Sequence, residues 1–236
     1  MYEMKRVVTS SDCDANGIQS VVSIVTMMQD CSGLWMESEP LVSDWLERDK
    51  LALVITSRQL DIYRRPAYRE RLSVRTSVYQ LKGPLGFRNT ALVDEQGSMV
   101  ACCWCTGPFI DLAAGKMSKP PQDVHDSMVI DPKLDMEYLP RRINMPKEGF
   151  EDLGDILVRA SDIDYYRHVN NAQYVRMACD NLPDGFSFNR LRIEYKSQAK
   201  LGMSVGCKRL ALDDKLYFML QDQEGNSFAD LEMSSF

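Results

Sequence analysis

Histidine is nearly absent: among 236 residues the chain has only two, His125 and His168. Any chemistry that rests on imidazole therefore has two addresses. No apolar run approaches the ~18 residues a membrane-crossing helix needs, so membrane insertion is not expected. A basic excess is also missing, since 28 Lys and Arg face 34 Asp and Glu for a formal net charge of −6. Nucleic acid is thereby excluded as a general partner, because phosphate binding requires a positive field. The seven cysteines (Cys13, Cys31, Cys102, Cys103, Cys105, Cys179, Cys207) have neither an even count nor the paired spacing of a zinc site. Cys102, Cys103 and Cys105 in "CCWC" sit in an apolar segment and read as small side chains of a buried strand. No metal or cofactor is called for. The first residues, "MYEMKRVVTSSD", lack the continuous apolar core of a secretory signal, so cytoplasm is the expected compartment.

What is present is ordinary globular material, 44% hydrophobic and 26% charged, enough for a sizeable core. It is also written twice. Residues 11–30 align with 161–180 at an offset of 150, matching Ser11/Ser161, Asp12/Asp162, Asp14/Asp164, Met27/Met177 and Asp30/Asp180. "LDIYRRP" from residue 60 pairs with "LRIEYKS" from 191 at an offset of 131, and "VDEQGSMVA" (93–101) with "QDQEGNSFA" (221–229) at 128. Three blocks in one order describe a duplicated unit. The fall from 150 to 131 places an insertion of 19 residues near 31–50 of the first copy.

Each copy predicts a short strand, an Asp-rich turn, a helix and several β-rich runs. The first helix carries Ile18, Val21, Val22, Val25 and Met28 with Ile24 and Met27 between them, apolar over most of its circumference and therefore buried. The second is more mixed, with Ala172, Val175, Ala178, Cys179 and Leu182 on one side. "DEQG" and "DQEG" are turn sequences between paired strands. Five of the ten prolines fall in residues 113–149, which predicts an extended connector with little regular structure. The expected domains are residues 1–112, the connector 113–149, and residues 150–236.

The second copy contains "DYYRHVNNAQY" at 164–174. Where His168 stands, the first copy has Ile18. The two copies thereby separate what the fold needs, the acidic turn, from what it does not, the histidine. An aspartate and histidine four residues apart at a helix entrance can hold and deprotonate a water. Backbone N–H groups over Val169–Asn171 at the helix start are a source of oxyanion stabilisation. The plainer alternative is a helix cap, since Asp, Asn and Ser before an apolar run contribute about 0.5–2 kcal/mol in that role. Tyr165 and Tyr166 either line the site or pack on the sheet. His125, between Asp123 and Asp126, reads as a surface residue.

This segment resembles the D-x-N-x-H-V-N-N-x-x-Y motif of plant and bacterial acyl-acyl-carrier-protein (acyl-ACP) thioesterases. "LALVITSRQLDIYRRPAYRERLSVRT" and "FIDLAAGKMSKPP" resemble further elements of that family. The resemblance implies an α+β fold, a tandem (double) hot-dog in which each helix is wrapped by an antiparallel sheet. It implies hydrolysis of fatty acyl-ACP thioesters with Asp164 and His168 catalytic, and no cofactor. Asn170 and Asn171 carry over directly as positioning residues. The family's motif asparagine falls at Tyr166, its acidic residue at Gln198 and the plant cysteine at Ala199. Gln198 can position water by hydrogen bonding but cannot serve as a general base.

With chemistry in the second copy, the first is free to form an acyl pocket, with Val21, Val25, Met28, Leu53 and Ile55 as candidate lining. Arg58, Arg64, Arg65, Arg69 and Arg71, and Arg190, Arg192, Lys196 and Lys200, form two local basic clusters. On charge pattern alone these are solvated strand faces. Because acyl carrier protein is acidic, Arg64, Arg65, Lys196 and Lys200 are also candidate docking residues. Alternatives of the same fold are an acyl-coenzyme A thioesterase, a non-catalytic acyl-binding protein, or a dehydratase, which lacks the HVNN signature. A homodimer is compatible with each.

Overall fold

The computed structural model describes residues 1–236 as two units, Met1–Tyr138 and Leu139–Phe236. The first contains β1 (Tyr2–Val7), α1 (Val21–Glu37), α2 (Pro40–Arg48), β2 (Leu51–Leu53), β3 (Ser57–Ile62), β4 (Arg71–Lys82), β5 (Leu85–Asp94), β6 (Met99–Asp111), β7 (Met117–Ser118) and α3 (Gln122–Ser127). Helix α1 starts where Ser20 supplies a cap, its hydroxyl accepting the Ser23 N–H at 3.1 Å. It buries Ile24, Val25, Met27, Met28, Cys31 and Trp35 and packs on β1, β4 and β5. The antiparallel strand order is β1-β4-β5-β6-β3, with β2 and β7 paired to the far end of β6. A Cβ on Gly107 of β6 would lie 1.6 Å from the Val54 carbonyl oxygen, so only glycine lets the chain after β2 approach there.

The second unit contains β8 (Glu151–Leu157), α4 (Asn171–Cys179), β9 (Arg190–Tyr195), β10 (Ser204–Leu212), β11 (Lys215–Gln221) and β12 (Ser227–Ser234). Its strand order is β8-β10-β11-β12-β9, the first unit's order repeated. The expected hairpin turns form alike in both. Asp94 Oδ1 accepts the Ser98 N–H at 2.8 Å, and Asp222 Oδ1 that of Asn226 at 2.8 Å. Gly97 and Gly225 take φ of 84° and 86°, the left-handed region open to glycine. Each unit thus sets one helix of the repeat, α1 or α4, against an antiparallel sheet, the α+β hot-dog arrangement, and the first adds α2 and α3.

Two expectations need correction. The proline-rich stretch is not wholly extended: β7 pairs with β6, and α3 buries Val124. Val124 joins a cluster with Trp35, Val42, Trp45, Leu51, Phe109 and Met128. The inserted residues, which lengthen α1 and form α2, need a cover for their apolar sides, and the connector supplies it. Trp45 meets Phe109 edge to face at 5.0 Å, and removing such a side chain costs about 3–5 kcal/mol. Second, the basic clusters are not simply solvated faces, for Arg58, Arg190 and Arg192 are buried. All six residues of β3 are buried, so alternation along that strand does not separate a wet face from a dry one.

Candidate active site

Between β8 and α4 the chain turns on Asp162. Its carboxylate is 5% exposed, accepting the Arg159 N–H at 2.8 Å and the Arg176 guanidinium of α4 at 2.9 Å. Its carbonyl accepts the Asn170 N–H at 2.9 Å. On that base stands a second, tighter turn. Asp164 donates its N–H to the His168 carbonyl at 3.1 Å and accepts the Tyr166 N–H on Oδ1 at 2.9 Å. Arg167 closes it with φ of 67°, a conformation that costs a non-glycine residue roughly 1–2 kcal/mol. The strain falls on the residue just before His168.

The turn brings Asp164 and His168 together. His168 Nδ1 lies 3.8 Å from Asp164 Oδ2 and 3.4 Å from the Val169 carbonyl oxygen. The side chains are 13% and 23% exposed, sheltered but open to solvent. Two oxygens thus lie on the Nδ1 side of the ring. The 3.8 Å gap is too long for a direct hydrogen bond. Tyr166 settles beside the histidine, its ring 5.9 Å away and within 8° of parallel. Tyr165 is 82% exposed, with its ring 4.0 Å from that of Tyr166. Neither tyrosine is a buried sheet residue.

The asparagines divide the capping work. Asn170 Oδ1 accepts the Ala172 N–H at 2.9 Å, and Asn171, the first residue of α4, accepts the Tyr195 hydroxyl on its carbonyl at 3.3 Å. The expected backbone oxyanion donors are mostly spent. The Val169 N–H goes to the Ala199 carbonyl at 3.0 Å, and that of Asn170 to Asp162. These bonds close the turn and leave neither N–H for substrate. The Val169–Ala199 bond also brings Gln198, exposed, to the loop alongside the turn. Sequence reasoning missed the brace beneath that loop. The Tyr174 hydroxyl accepts the Ala199 N–H at 2.9 Å, its phenol pushed up to about 12 by burial. Its signal was in view, as the tyrosine that ends the quoted motif.

The first copy builds the same turn. Asp14 donates its N–H to the Ile18 carbonyl at 2.8 Å, and its Oδ1 accepts N–H groups of Asn16 and Ile18 at 2.9 and 3.2 Å. Gly17 takes φ of 72° where Arg167 takes 67°. Asp14 Oδ2, however, pairs with Arg65 at 3.2 Å. Burial favours the neutral acid, but the two N–H donors and Arg65 hold the Asp14 carboxyl below its usual range.

The other candidates are dispersed. Val25 and Met28 are fully buried in α1 with Val21 at its start, while Leu53 and Ile55 are half-buried. Three of the four docking candidates are already in ion pairs. Arg64 bridges Glu70 at 2.7 Å and Asp94 at 2.9 Å, Arg65 holds Asp14, and Lys196 pairs with Asp230. Lys200 is exposed. His125 lies in α3 beside Asp126 at 3.1 Å, half-exposed, as a surface residue would. Cys102, Cys103 and Cys105 are buried in β6 as expected.

Comparison with known proteins shows the family and the fold. The family model described as the acyl-ACP thioesterase N-terminal domain matches residues 1–128, and the acyl-ACP thioesterase C-terminal domain matches 147–231. A crystal structure of an acyl-ACP thioesterase from Bacteroides thetaiotaomicron is similar at a TM-score of 0.88 and 18% identity, over 98% of this chain and 96% of the other. The 12:0-ACP thioesterase from Umbellularia californica is similar at 0.82 and 15% identity, over 99% and 96%. No curated protein matches the sequence.

Proposed function

The chain belongs to the acyl-ACP thioesterase family, and on that premise we propose that Asp164 and His168 carry its hydrolytic step. The reaction is thioester hydrolysis: water adds to the thioester carbonyl, the carbon–sulfur bond breaks, and a carboxylic acid and a thiol leave. His168 Nε2 takes the proton of the attacking water, while Asp164 and the Val169 carbonyl hold the Nδ1 proton and stabilise the imidazolium. The proton then passes to the departing thiolate. Tyr166 orients the imidazole by stacking, and Gln198 positions water or the carbonyl oxygen. Asn170 and Asn171 hold the start of α4 on which the site stands.

The observation that carries this reading is the second-copy turn, where an aspartate oxygen faces a histidine instead of an arginine. We assign the acyl chain to the first copy, residues 1–112, lined by Val21, Val25, Met28, Leu53 and Ile55, and the chemistry to residues 150–236. We place the enzyme in the cytoplasm, in keeping with seven cysteines that form no disulfide. No helix is long and apolar enough to cross a membrane. Lys200 is the docking cation favoured by its exposure, with Arg64, Arg65 and Lys196 contributing through paired charge. That pairing is also what supports the second reading, coenzyme A as carrier, which needs less of an acidic-partner surface. Thiol release from acyl-ACP and acyl-coenzyme A of one chain length tests both. Faster turnover of the ACP ester is expected, and equal or faster turnover of the coenzyme A ester would reverse the assignment.

A further inference from the structure

Cross-strand register in the first unit sets Val78, Arg88, Cys105 and Arg58 side by side on β4, β5, β6 and β3. The next row holds Thr76, Thr90, Cys103 and Leu60. These rows face α1: the Arg88 guanidinium lies 3.9 Å from the Trp35 ring centroid, and Ser32 and Thr76 hydroxyls are 3.4 Å apart. Arg88 is 5% exposed and forms no ion pair with a carboxylate. Its Nη1 donates to Thr76 Oγ1 at 3.1 Å, but Nη2 is buried without any acceptor. Burial brings its own pKa down to about 10, opposed by the charges of Cys105, Cys31 and Glu39. Hydrogen bonding from Cys103, then Arg58 and Arg88, holds the Cys105 thiol down against burial.

An arginine buried this deeply normally finds a partner, because an unsatisfied charged donor loses its hydration without replacement. Here the donor lies in the helix–sheet interior that the functional reading assigns to the acyl chain. An alkyl tail reaching this row would leave Nη2 unsatisfied. An oxygen atom there would complete it. We propose that Arg88 is a specificity residue that receives an oxygen acceptor, a carboxylate or a hydroxyl, at the far end of the acyl chain. The proposal rests on the first unit being the acyl site. It makes the substrate an oxygen-terminated acyl thioester rather than a plain fatty one, with Thr76 and Trp35 holding the guanidinium in place.

The test compares three ACP thioesters of equal chain length, ending in carboxylate, hydroxyl or methyl. The wild-type kcat/KM should favour the carboxylate over the methyl ester by about tenfold or more, as expected for a hydrogen bond to a charged group, with the hydroxyl between them. Arg88→Met should abolish the ranking and raise the methyl ester. Arg88→Lys, which keeps charge but not the planar fork, should retain part of it. Equal wild-type rates for the three esters would overturn the proposal, and this holds even where Arg88→Met fails to fold. A ranking unchanged in a folded Arg88→Met protein would overturn it equally. Val25→Phe, tested on methyl esters of several lengths, separates the two layers of the argument. If it shifts length preference while the terminal-group ranking is absent, the acyl site stands and the role of Arg88 falls. If neither the length profile nor the ranking responds to any variant, the acyl-site reading falls and takes this proposal with it.

Discussion

The turns at Asp14 and Asp164 share a backbone and differ in what their carboxylates face. Both accept N–H groups on Oδ1, both close through a left-handed residue, and both lead into the helix of their unit. In the first, the remaining oxygen meets Arg65 and the histidine position is Ile18. In the second, it faces His168 across 3.8 Å. An aspartate neutralised by a fixed guanidinium is a structural brace, because its charge is already spent. One that faces an imidazole keeps its charge available to an imidazolium. Duplication thus supplies an internal control, in which the turn is common property and the histidine belongs to one copy.

The largest expected effect breaks the comparison at its active side. His168→Ala and Asp164→Asn should each lower kcat/KM for acyl-ACP by at least about 10²-fold, with melting temperature checked alongside. Near-wild-type turnover in either folded variant removes that residue from the mechanism. Asp14→Asn should leave kcat within about threefold, since general acid–base contributions of that size or larger are not expected from a brace. Ile18→His in the His168→Ala background sharpens the point. It should restore nothing, because Arg65 still holds the adjacent carboxylate; recovered hydrolysis would show that either turn can carry the reaction.

Much of this was legible in the sequence because the duplication is. Matching Asp12/Asp162 and Asp14/Asp164 located the turns, and Ile18 against His168 located the difference. The strands and their hairpin turns followed from the β-rich runs and from "DEQG" and "DQEG", whereas their order in the sheet did not. What stayed hidden depended on partners far along the chain. Arg192 reads as a surface cation until Glu232, forty residues away, is found 2.8 Å from it in the adjacent strand. The Val169 and Asn170 N–H groups look available at a helix start until Ala199 and Asp162 prove to accept them. The connector looked extended because prolines were counted without the apolar Trp35 and Trp45 side chains that α3 helps to bury. Arg88 sits among ordinary strand residues, and nothing local marks its missing acceptor.

A smaller effect is expected at the carrier. Lys200→Glu should raise the KM for acyl-ACP several-fold, leave a small acyl thioester nearly unchanged, and lose most of its effect at 0.5 M salt, where the Debye length falls to about 4 Å. Arg65→Glu should act differently, because that side chain is already committed to Asp14 within its own unit. It should affect thermal stability as much as KM and act on both substrates. Identical behaviour of the two variants would remove the distinction between an exposed docking charge and a paired structural one.

The smallest effect concerns the brace itself and how it depends on pH. The Asp14 carboxyl titrates below its ordinary value of 3.8 in the folded chain, where burial opposes ionisation but the Asn16 and Ile18 N–H groups and Arg65 favour it. A depressed folded-state pKa means that the unfolded chain binds the proton more readily. The charge of Asp14 therefore stabilises the fold fully above the unfolded value and progressively less as pH falls through the folded one. Asn in its place keeps an oxygen for the two N–H groups and loses only the charge. Wild type should accordingly be more stable than Asp14→Asn at pH 7, by less than about 1 kcal/mol because the Arg65 pair is partly solvated. The two should converge as pH drops below about 4. Urea unfolding of both proteins at pH 7, 4 and 3 measures the difference. A gap that persists undiminished at pH 3 would place the contribution in packing rather than in the ion pair, and the first turn would then be braced by shape alone.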